Sequence, residues 1–392
     1  MKTPKGFRFS VVEGGIKYSG RKDMGLIVSD VEATAAGVFT RNRVKAAPVQ
    51  LGIKRIRSGK AQAIIVNSGN ANACTGEQGI NDAIEMSKMA ANQLGIKPSR
   101  TFVCSTGVIG TPMPMNKVKK GIKSLAPDLG KYSLDDVAKA MMTTDTFAKL
   151  TSRQIDISGI KVTITACVKG AGMICPNMAT MLCFILTDAA IEQKALKSAL
   201  KETVDSSFNC ITIDGDMSTN DTVLALANGV AGNRTLTSTS IDFKKFKKAL
   251  NDICLDLAEM IVSDGEGATK VIEIEVKGAK TVSDAKKAAK TVANSPLVKT
   301  ALYGNDANWG RIMAAIGYSG ISFNVHKVDI FLDNLQIVKN STTTAKDKTA
   351  NRLLKKKNIK ILINLHSGHN SSRVLTCDLT EEYIKINAEY KT

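Results

Sequence analysis

Residues 169–182 read Lys-Gly-Ala-Gly-Met-Ile-Cys-Pro-Asn-Met-Ala-Thr-Met-Leu, and no other part of the sequence is as unusual. Residues 161–168, just before it, alternate apolar and polar side chains as a strand does. Residues 181–186 form a continuous apolar run, which is typical of a fully buried strand. The two glycines permit backbone conformations closed to other residues, and the Pro-Asn pair marks a turn. The stretch is therefore predicted to be a tight loop that enters a buried strand.

This loop has one rival interpretation, and one of its residues has two. A glycine-rich dinucleotide loop would need a third glycine at the right offset and a helix directly afterwards, and neither is present. Thr180 stands at the mouth of the buried strand. It is either an ordinary β-branched strand residue whose hydroxyl bonds to nearby backbone or a nucleophile held at a strand end. The residues alone leave both interpretations of Thr180 open.

Outward from this loop, strand-like and helix-like segments alternate without a regular βαβ cadence, which favours α+β layers over a doubly wound sheet. The further predicted strands are 62–66, 101–104, 271–276 and 359–365. The predicted helices are 77–94, 192–204 and 243–261. Residues 339–358 are polar and rich in lysine, so we expect a loop or a mobile hairpin tip there. A domain boundary is expected near Lys270.

The charge balance is strongly basic, with 54 Lys and Arg against 36 Asp and Glu, a formal net charge of +18. Such a balance is compatible with nucleic-acid binding or with a field that attracts small anionic substrates. The lysines are spread along the chain, and aromatic residues make up only 5%, which leaves few platforms for stacking bases. We therefore expect no nucleic-acid partner, and a basic binding protein is kept as the alternative of a different class.

Cysteine and histidine usage argues against a metal site. None of the eight cysteines has C-x-x-C spacing, so neither a zinc ribbon nor a thioredoxin motif is supported. His366 and His369 lack a third ligand at suitable spacing. Buried, reduced thiols and a cytoplasmic location are expected. No signal peptide is expected from residues 1–15, and the longest apolar stretch, 173–191, contains polar residues that argue against a membrane span.

Residues 169–182 resemble the signature K-G-x-G-M-x-x-P-x-x-A-T-M-L of the ornithine acetyltransferases, the ArgJ-type glutamate N-acetyltransferases of arginine biosynthesis. Further blocks resemble that family in the same order along nearly the whole chain, which is more specific than any single motif. These blocks are residues 35–40, 47–49, 67–76, 105–110, 143–146, 214–221, 263–270, 304–311 and 376–380.

The resemblance implies that the chain cuts itself between Ala179 and Thr180, giving an alpha chain of residues 1–179 and a beta chain of residues 180–392. Cleavage would free the α-amine of Thr180, whose ordinary pKa of about 7.7–8.0 suits a general base near neutral pH. The Thr180 hydroxyl would then attack an acetyl carbonyl with its own amine as the base. One residue would supply both nucleophile and base.

The resemblance also implies roles for other residues. Thr106, through its hydroxyl, and Gly107, through its backbone N–H, would form the oxyanion hole. Lys169 would meet a substrate carboxylate, and Glu266 would pair with the side-chain ammonium of ornithine. The implied substrate-binding set is Thr146, Lys169, Thr180, Glu266, Asn387 and Thr392.

For the fold, the resemblance implies an α+β architecture: the layered α/β/β/α sandwich of the N-terminal-nucleophile type shared by ArgJ and DmpA. Residues 180–270 would complete this core, and a smaller C-terminal α/β domain would span about 271–392. Two alpha and two beta chains would form a heterotetramer in the cytoplasm, away from membranes.

For the reaction, it implies transfer of an acetyl group from N2-acetyl-L-ornithine to L-glutamate without a metal or cofactor. Some family members also accept acetyl-CoA and are multifunctional enzymes, and the sequence leaves open whether this one does. The enzymatic alternative is a related autoprocessed aminopeptidase or amidase, in which water deacylates the enzyme. Such relatives look different around the nucleophile and generally use Ser.

A denaturing gel separates the enzyme from the basic binding protein. We expect the purified protein to run as two pieces, because self-cleavage is what frees the amine that Thr180 needs as a base. Amino-terminal sequencing of the C-terminal piece should begin at Thr180, and a Thr180→Ala variant should stay in one piece. A single intact band, with RNA or DNA affinity that falls steeply with salt, would instead favour the binding protein.

Overall fold

The computed structural model describes residues 1–175 and 181–389 of the chain. Ala179, Thr180 and Thr392 lie outside these ranges. The strands of the described part are β1 Phe7–Val12, β2 Met24–Phe39, β3 Lys60–Asn67, β4 Thr101–Ser105, β5 Lys149–Ile157, β6 Ile160–Lys169, β7 Leu182–Thr187, β8 Thr222–Ala227, β9 Val271–Ala279, β10 Asp329–Leu332, β11 Leu335–Lys339, β12 Thr342–Thr343, β13 Asn358–Asn364 and β14 Asn370–Cys377. The helices are α1 Ala47–Arg55, α2 Gly76–Leu94, α3 Met115–Leu125, α4 Leu134–Ala140, α5 Gln193–Ser206, α6 Phe243–Ser263, α7 Val282–Ala293, α8 Pro296–Tyr303, α9 Trp309–Gly317, α10 Asp347–Leu353 and α11 Glu381–Glu389.

The first sheet has eight strands in the order β4-β3-β2-β8-β7-β6-β5, with β1 also paired to β2. Strand β2 is 16 residues long, and its register against β3 shifts between Val28 and Ala33. Its first half pairs with β1, whereas its second half pairs with β8. The irregularity lets one strand serve two halves of the sheet, because a register shift increases the local bend and twist of a strand.

Side-chain alternation along these strands shows that the two halves lie face to face. On β7, Ile185 packs in the same apolar cluster as α5 and α6, whereas its neighbour Phe184 points to the opposite face. Phe184 shares that inner cluster with Ile64 of β3, and Ile65 of β3 packs with α2 and α3. The order is helix, strand, strand, helix. The predicted α/β/β/α sandwich is therefore confirmed, and its two strand layers are halves of one continuous sheet.

The second sheet is smaller and has six strands in the order β12-β11-β10-β13-β9-β14. It begins with β9 at Val271, and β9 runs parallel to β13, with Ile274 opposite Ile361. Helices α7 and α9 share a separate apolar cluster with these strands. This unit is the smaller C-terminal α/β part that was predicted, while the residue bounds assigned to the domains and to the two cleaved chains stay predictions.

The periodicity predictions are confirmed for every strand and helix that was named, with ends displaced by a few residues. The prediction of a loop or a mobile hairpin tip at residues 339–358 is only partly correct. Strands β11 and β12 do form a hairpin there, with Lys339 opposite Thr342, but the segment also contains the helix α10, Asp347–Leu353. The reason is tertiary: Ala350 of α10 and Leu354 just after it are fully buried in the core of the second sheet, although the rest of the segment is polar.

The prediction of buried cysteines is only partly correct. All eight cysteines are reduced, and five of them are buried. Cys74 is exposed, whereas Cys175 and Cys210 are half-buried. Cys74 and Cys175 lie on loops, and Cys210 ends a short 3-10 helix, so these three cysteines do not lie on inward faces of strands. Burial raises the pKa of the Cys167 thiol to about 12, which keeps it protonated and unreactive.

The apolar cluster between the two strand layers should contribute much of the stability of the first sheet. Phe184→Ala removes a fully buried ring between the two strand layers, so the free energy of unfolding should fall by about 3–5 kcal/mol. Ile241→Ala is the matched control, since Ile241 is 92% exposed and its loss should change stability by less than about 0.5 kcal/mol. Urea unfolding followed by circular dichroism measures both. Equal effects of the two variants would contradict the layered core.

Candidate active site

A cavity of about 250 Å³ opens at the edge of the first sheet where β6 ends and β7 and β8 begin. The register pairs Lys169 with Leu182 and Leu182 with Thr222, so these strand ends lie side by side. Loops from both halves of the sandwich reach the same place. The polar residues that line the cavity include Thr106, Thr143, Lys169, Asp214, Asn220, Asp221, Glu266, Tyr383 and Asn387.

Lys169, the last residue of β6, is the cationic side chain among the described residues that line this cavity. Its Nζ donates to the Thr143 hydroxyl at 2.8 Å and to the Thr106 hydroxyl at 3.3 Å. Burial lowers the pKa of Lys169, and the charge of Asp145 acts in the opposite direction. Because the Thr106 hydroxyl oxygen accepts from the lysine, its own proton is left to donate to a negative oxygen in the cavity.

Gly107 is next to Thr106 and could not be replaced without moving the backbone. Its φ is +131°, and a Cβ there would lie 2.3 Å from the carbonyl carbon of Gly69. In the described part of the chain the Gly107 N–H has no hydrogen-bond acceptor. An N–H without an acceptor, beside a hydroxyl with a proton to donate, is the arrangement that an oxyanion hole requires.

Buried amides hold this pair in place. Asn220 donates from Nδ2 to the carbonyl oxygens of Ala71, at 2.6 Å, and Ser105, at 2.8 Å. The Ser105 hydroxyl donates to Oδ1 of Asn67 at 2.6 Å. Ser105 directly precedes Thr106, so these bonds fix the loop to the start of β8 and to the end of β3.

Glu266 provides negative charge on another wall of the cavity. Its Oε2 accepts a 2.7 Å hydrogen bond from Nδ2 of Asn387 on α11, and its N–H donates to the carbonyl of Ala171 at 2.9 Å. A Cβ on Gly172 would lie 2.4 Å from the Glu266 carboxylate. Gly172 therefore makes the room that the carboxylate occupies, which gives the second glycine of the 169–182 stretch a steric role.

Asp214 adds a second carboxyl and fixes the loop that precedes residue 176. Its oxygens accept from the N–H groups of Met173, at 2.6 Å, and Ile174, at 2.9 Å. Burial raises the pKa of Asp214. Burial, and then the charges of Asp214 and Glu266, also raise the pKa of Tyr383. Because Lys169 lines the same cavity, the cavity suits a molecule that carries both a carboxylate and an ammonium group.

A buried ion cluster lies behind Lys169. The Lys149 side chain is 0% exposed and bridges the carboxylates of Asp145, at 2.7 Å, and Asp264. Burial alone would raise the pKa of Asp145, but the charges of Lys169 and Lys149 outweigh it and hold the pKa below its usual value. Asp145 also accepts from the Gly170 N–H at 2.7 Å, which joins the cluster to the loop of the cavity.

The structure brings five of the predicted site residues to one cavity: Thr106, Gly107, Lys169, Glu266 and Asn387. Thr146 does not line it. Its N–H donates to Asp264 at 3.0 Å, and its hydroxyl donates to the same carboxylate. The cleavage-site residue Ala179, the nucleophile Thr180 and the substrate contact Thr392 lie outside the described residues. The roles given to all of these residues stay predictions.

Several residues of the cavity were missed by sequence reasoning. Thr143 belongs to the block 143–146, and Asp214 and Asp221 belong to the block 214–221, so the blocks themselves were a signal. What was absent was any indication of which side chain in each block faces inward. Tyr383 carried no signal, since it reaches the cavity only because α11 lies across it.

Residues 1–175 and 181–389 hold no group of three or more His, Cys, Asp and Glu side chains placed to bind a metal ion. Within the same ranges, no helix combines the length and the apolar character needed to cross a membrane.

The family follows from comparison with known sequences, because the model of the ArgJ family matches residues 8–392. The chain belongs to the ArgJ family. It is 50% identical over 390 residues to the arginine biosynthesis bifunctional protein ArgJ of Geobacter sulfurreducens, with 99% of each chain covered. It is 51% identical over 375 residues to the protein of the same name from Symbiobacterium thermophilum, with 95% of this chain and 93% of that one covered.

A solved ArgJ structure also resembles the fold described here. The crystal structure of the arginine biosynthesis bifunctional protein from Bacillus halodurans is 47% identical in sequence, with a TM-score of 0.51. The match covers 53% of this chain and 98% of that chain. The solved chain is therefore about half as long as this one.

The oxyanion arrangement in this ArgJ-family chain can be tested at Gly107. In Gly107→Ala the added carbon meets the Gly69 backbone, so the N–H should shift and turnover should fall by about 100-fold or more. Gly15→Ala is the matched control: Gly15 also has a positive φ, +64°, but open space around it. Steady-state acetyl transfer per folded protein is the measurement. Near-normal turnover of Gly107→Ala would contradict the assignment.

Proposed function

We propose that this ArgJ-family chain is a glutamate N-acetyltransferase that moves an acetyl group from N2-acetyl-L-ornithine to L-glutamate through an acyl-Thr180 intermediate, in cyclic arginine biosynthesis. The observation that carries the proposal is the cavity itself. It combines a lysine and an oxyanion-type donor pair, Thr106 and Gly107, with the carboxylate of Glu266 on another wall. It opens at Met181, the residue that follows Thr180 in the chain.

Self-cleavage between Ala179 and Thr180 is part of the proposal. Thr180 in an uncut chain has only an amide nitrogen, which cannot act as a base. After cleavage its α-amine can take the hydroxyl proton as the hydroxyl attacks. The length of the solved relative's chain, about half of this one, supports a mature protein made of two pieces.

In the first half-reaction the Thr180 hydroxyl oxygen would bond to the acetyl carbon of N2-acetyl-L-ornithine. The negative oxygen that develops would accept hydrogen bonds from the Thr106 hydroxyl and the Gly107 N–H, and one such donor is worth roughly 3–4 kcal/mol of barrier. The ornithine nitrogen then leaves with the proton that the α-amine took. Lys169, 3.3 Å from the Thr106 hydroxyl, adds positive charge beside the donors.

In the second half-reaction the amine of L-glutamate would attack the acetyl ester and release Thr180. The carboxylates of both substrates match the charge of Lys169, and Glu266 matches the ammonium of ornithine. Asn387 orients Glu266 through its 2.7 Å hydrogen bond. Thr146 and Thr392 complete the proposed contacts, and Thr146 would have to release Asp264 to reach a substrate.

Three further features belong to the proposal. The relatives' name, bifunctional protein, supports a second activity, and we propose acetyl-CoA as an additional acetyl donor for glutamate. We propose a heterotetramer of two alpha and two beta chains, located in the cytoplasm. No resident cofactor is needed by a reaction in which Thr180 supplies both nucleophile and base.

Intact mass spectrometry tests the covalent route. After brief exposure to N2-acetyl-L-ornithine, the C-terminal piece should gain one acetyl group, because the ester on Thr180 persists until an acceptor amine arrives. Adding L-glutamate should remove that group at least about 100-fold faster than buffer alone. Thr180→Ala, which stays uncut, is the control. Discharge at the same rate in water would favour the aminopeptidase alternative, and an active preparation that never carries the acetyl group would exclude the acyl-enzyme.

A further inference from the structure

Asp221 lies directly beside the strand that follows the predicted cleavage bond. Strands β7 and β8 are parallel with Leu182 opposite Thr222, so Asp221 stands opposite Met181, one residue after Thr180. The Thr222 N–H donates to the Met181 carbonyl at 2.9 Å. From the other side, the Thr40 N–H donates to the Asp221 carbonyl at 3.0 Å. The backbone of Asp221 is therefore fixed between two neighbours.

The Asp221 side chain is buried and incompletely paired. It is 1% exposed and lines the cavity, yet its Oδ2 has no hydrogen-bond partner among the described residues. Buried polar atoms without partners are rare in native structures, because the atom loses its hydrogen bonds to water and gains none in the protein. Nothing in the transfer reaction described above uses this carboxyl.

The groups around Asp221 do little to stabilise its charge. Lys169 from β6 is the charged residue that faces it, and the Thr40 and Ser218 hydroxyls with the Met181 N–H lie close enough to act in the same direction. Burial outweighs them all and raises the pKa of Asp221 well above its usual range. The site thus favours a neutral carboxyl with one proton to donate and one oxygen free to accept.

Self-cleavage has a chemical requirement that the mature enzyme does not have. Before the Ala179–Thr180 bond breaks, the Thr180 nitrogen is an amide and cannot take the hydroxyl proton. The same nitrogen must also gain a proton in order to leave as an amine. The uncut chain therefore needs another group that accepts one proton and donates another.

We propose that the Asp221 carboxyl, buried opposite Met181 with an unpaired oxygen, is the proton-transfer group for cleavage of the Ala179–Thr180 bond. This inference rests on the proposed function. In one concerted exchange, the Thr180 oxygen bonds to the Ala179 carbonyl carbon, Oδ2 of Asp221 accepts the hydroxyl proton and the other carboxyl oxygen gives its proton to the Thr180 nitrogen. The carbon–nitrogen bond then breaks, and the nitrogen leaves as the amine. Water then hydrolyses the resulting ester to the Ala179 carboxyl and the Thr180 hydroxyl.

This exchange fits a buried position, because the carboxyl is neutral at its start and at its end. One proton arrives as another departs, and no unpaired charge has to persist away from water. An asparagine has the same size but cannot exchange protons in this way. Asp221→Asn is therefore the informative substitution.

The cleavage rate of fresh, full-length precursor tests the inference. Precursor made by cell-free synthesis is chased and run on denaturing gels, and Asp221→Asn should cleave at least about 100-fold more slowly than the natural chain. Asp188→Asn is the matched control. Asp188 is equally buried, follows the far end of β7 and accepts from the N–H groups of Lys5, at 3.0 Å, and Thr163, at 2.8 Å. It should cleave at close to the natural rate.

Cleavage of Asp221→Asn at the natural rate overturns the inference, whatever the transferase activity of the cleaved protein. A natural chain that is cleaved but never transfers an acetyl group contradicts the proposed function instead, and it does not affect the inference about Asp221. If thermal melting shows that Asp221→Asn is unfolded, Asp221→Glu and Asp221→Gln decide. The glutamate keeps a carboxyl that can exchange protons, so its cleavage should be at least about 10-fold faster than that of the glutamine. Equal cleavage rates of these two variants overturn the inference.

Discussion

The site depends on one buried ion cluster, in which Lys149 lies between Asp145 and Asp264 with none of its side chain exposed. Three charges removed from water are tolerated only where they are paired and hydrogen-bonded, and removal of one partner leaves the others uncompensated. Asp145 also accepts from the Gly170 N–H, and Asp264 accepts from Thr146. The cluster therefore ties the loop that leads to the proposed nucleophile to the C-terminal end of α6. It also joins residues on both sides of the proposed cleavage point, so it would hold the two pieces together after cleavage.

From this anchor the cavity is assembled by contacts between the two halves of the sandwich. Lys169 comes from one strand layer, and the Thr106 and Gly107 loop comes from the other. Asn220 fixes that loop, and α11 closes the cavity from the second unit through Asn387. The two glycines near the cavity serve packing as well as conformation, since Gly172 leaves room for Glu266 and Gly107 lies against the Gly69 backbone. The lysine and the oxyanion donors of the proposed reaction thus come from different strand layers.

The secondary structure was predictable because periodicity reports which face of a segment is buried. The helix α10 in residues 339–358 was missed for the same reason. Ala350 and Leu354 are too few and too isolated to produce a periodic pattern, yet they are enough to bury α10 against the second sheet. For the site, the blocks that resemble the family indicated the neighbourhood. They did not indicate that Thr146 would be bound to Asp264, nor that Asp221 would keep an unpaired oxygen.

The sequence by itself determined the family, the strand that follows the 169–182 loop and the residue types available for chemistry, because these are properties of local order and spacing. The tertiary structure alone decided which of those residues meet. Thr106 and Lys169 are 63 positions apart and Asn387 and Glu266 are 121 apart, and each pair is joined by a hydrogen bond. It also decided the pKa shifts of two carboxyls: the pKa of Asp145 is lowered and that of Asp221 is raised. Both carboxyls are buried. At Asp145 the charges of Lys169 and Lys149 outweigh burial, whereas at Asp221 burial outweighs the charge of Lys169, and no linear pattern records this difference.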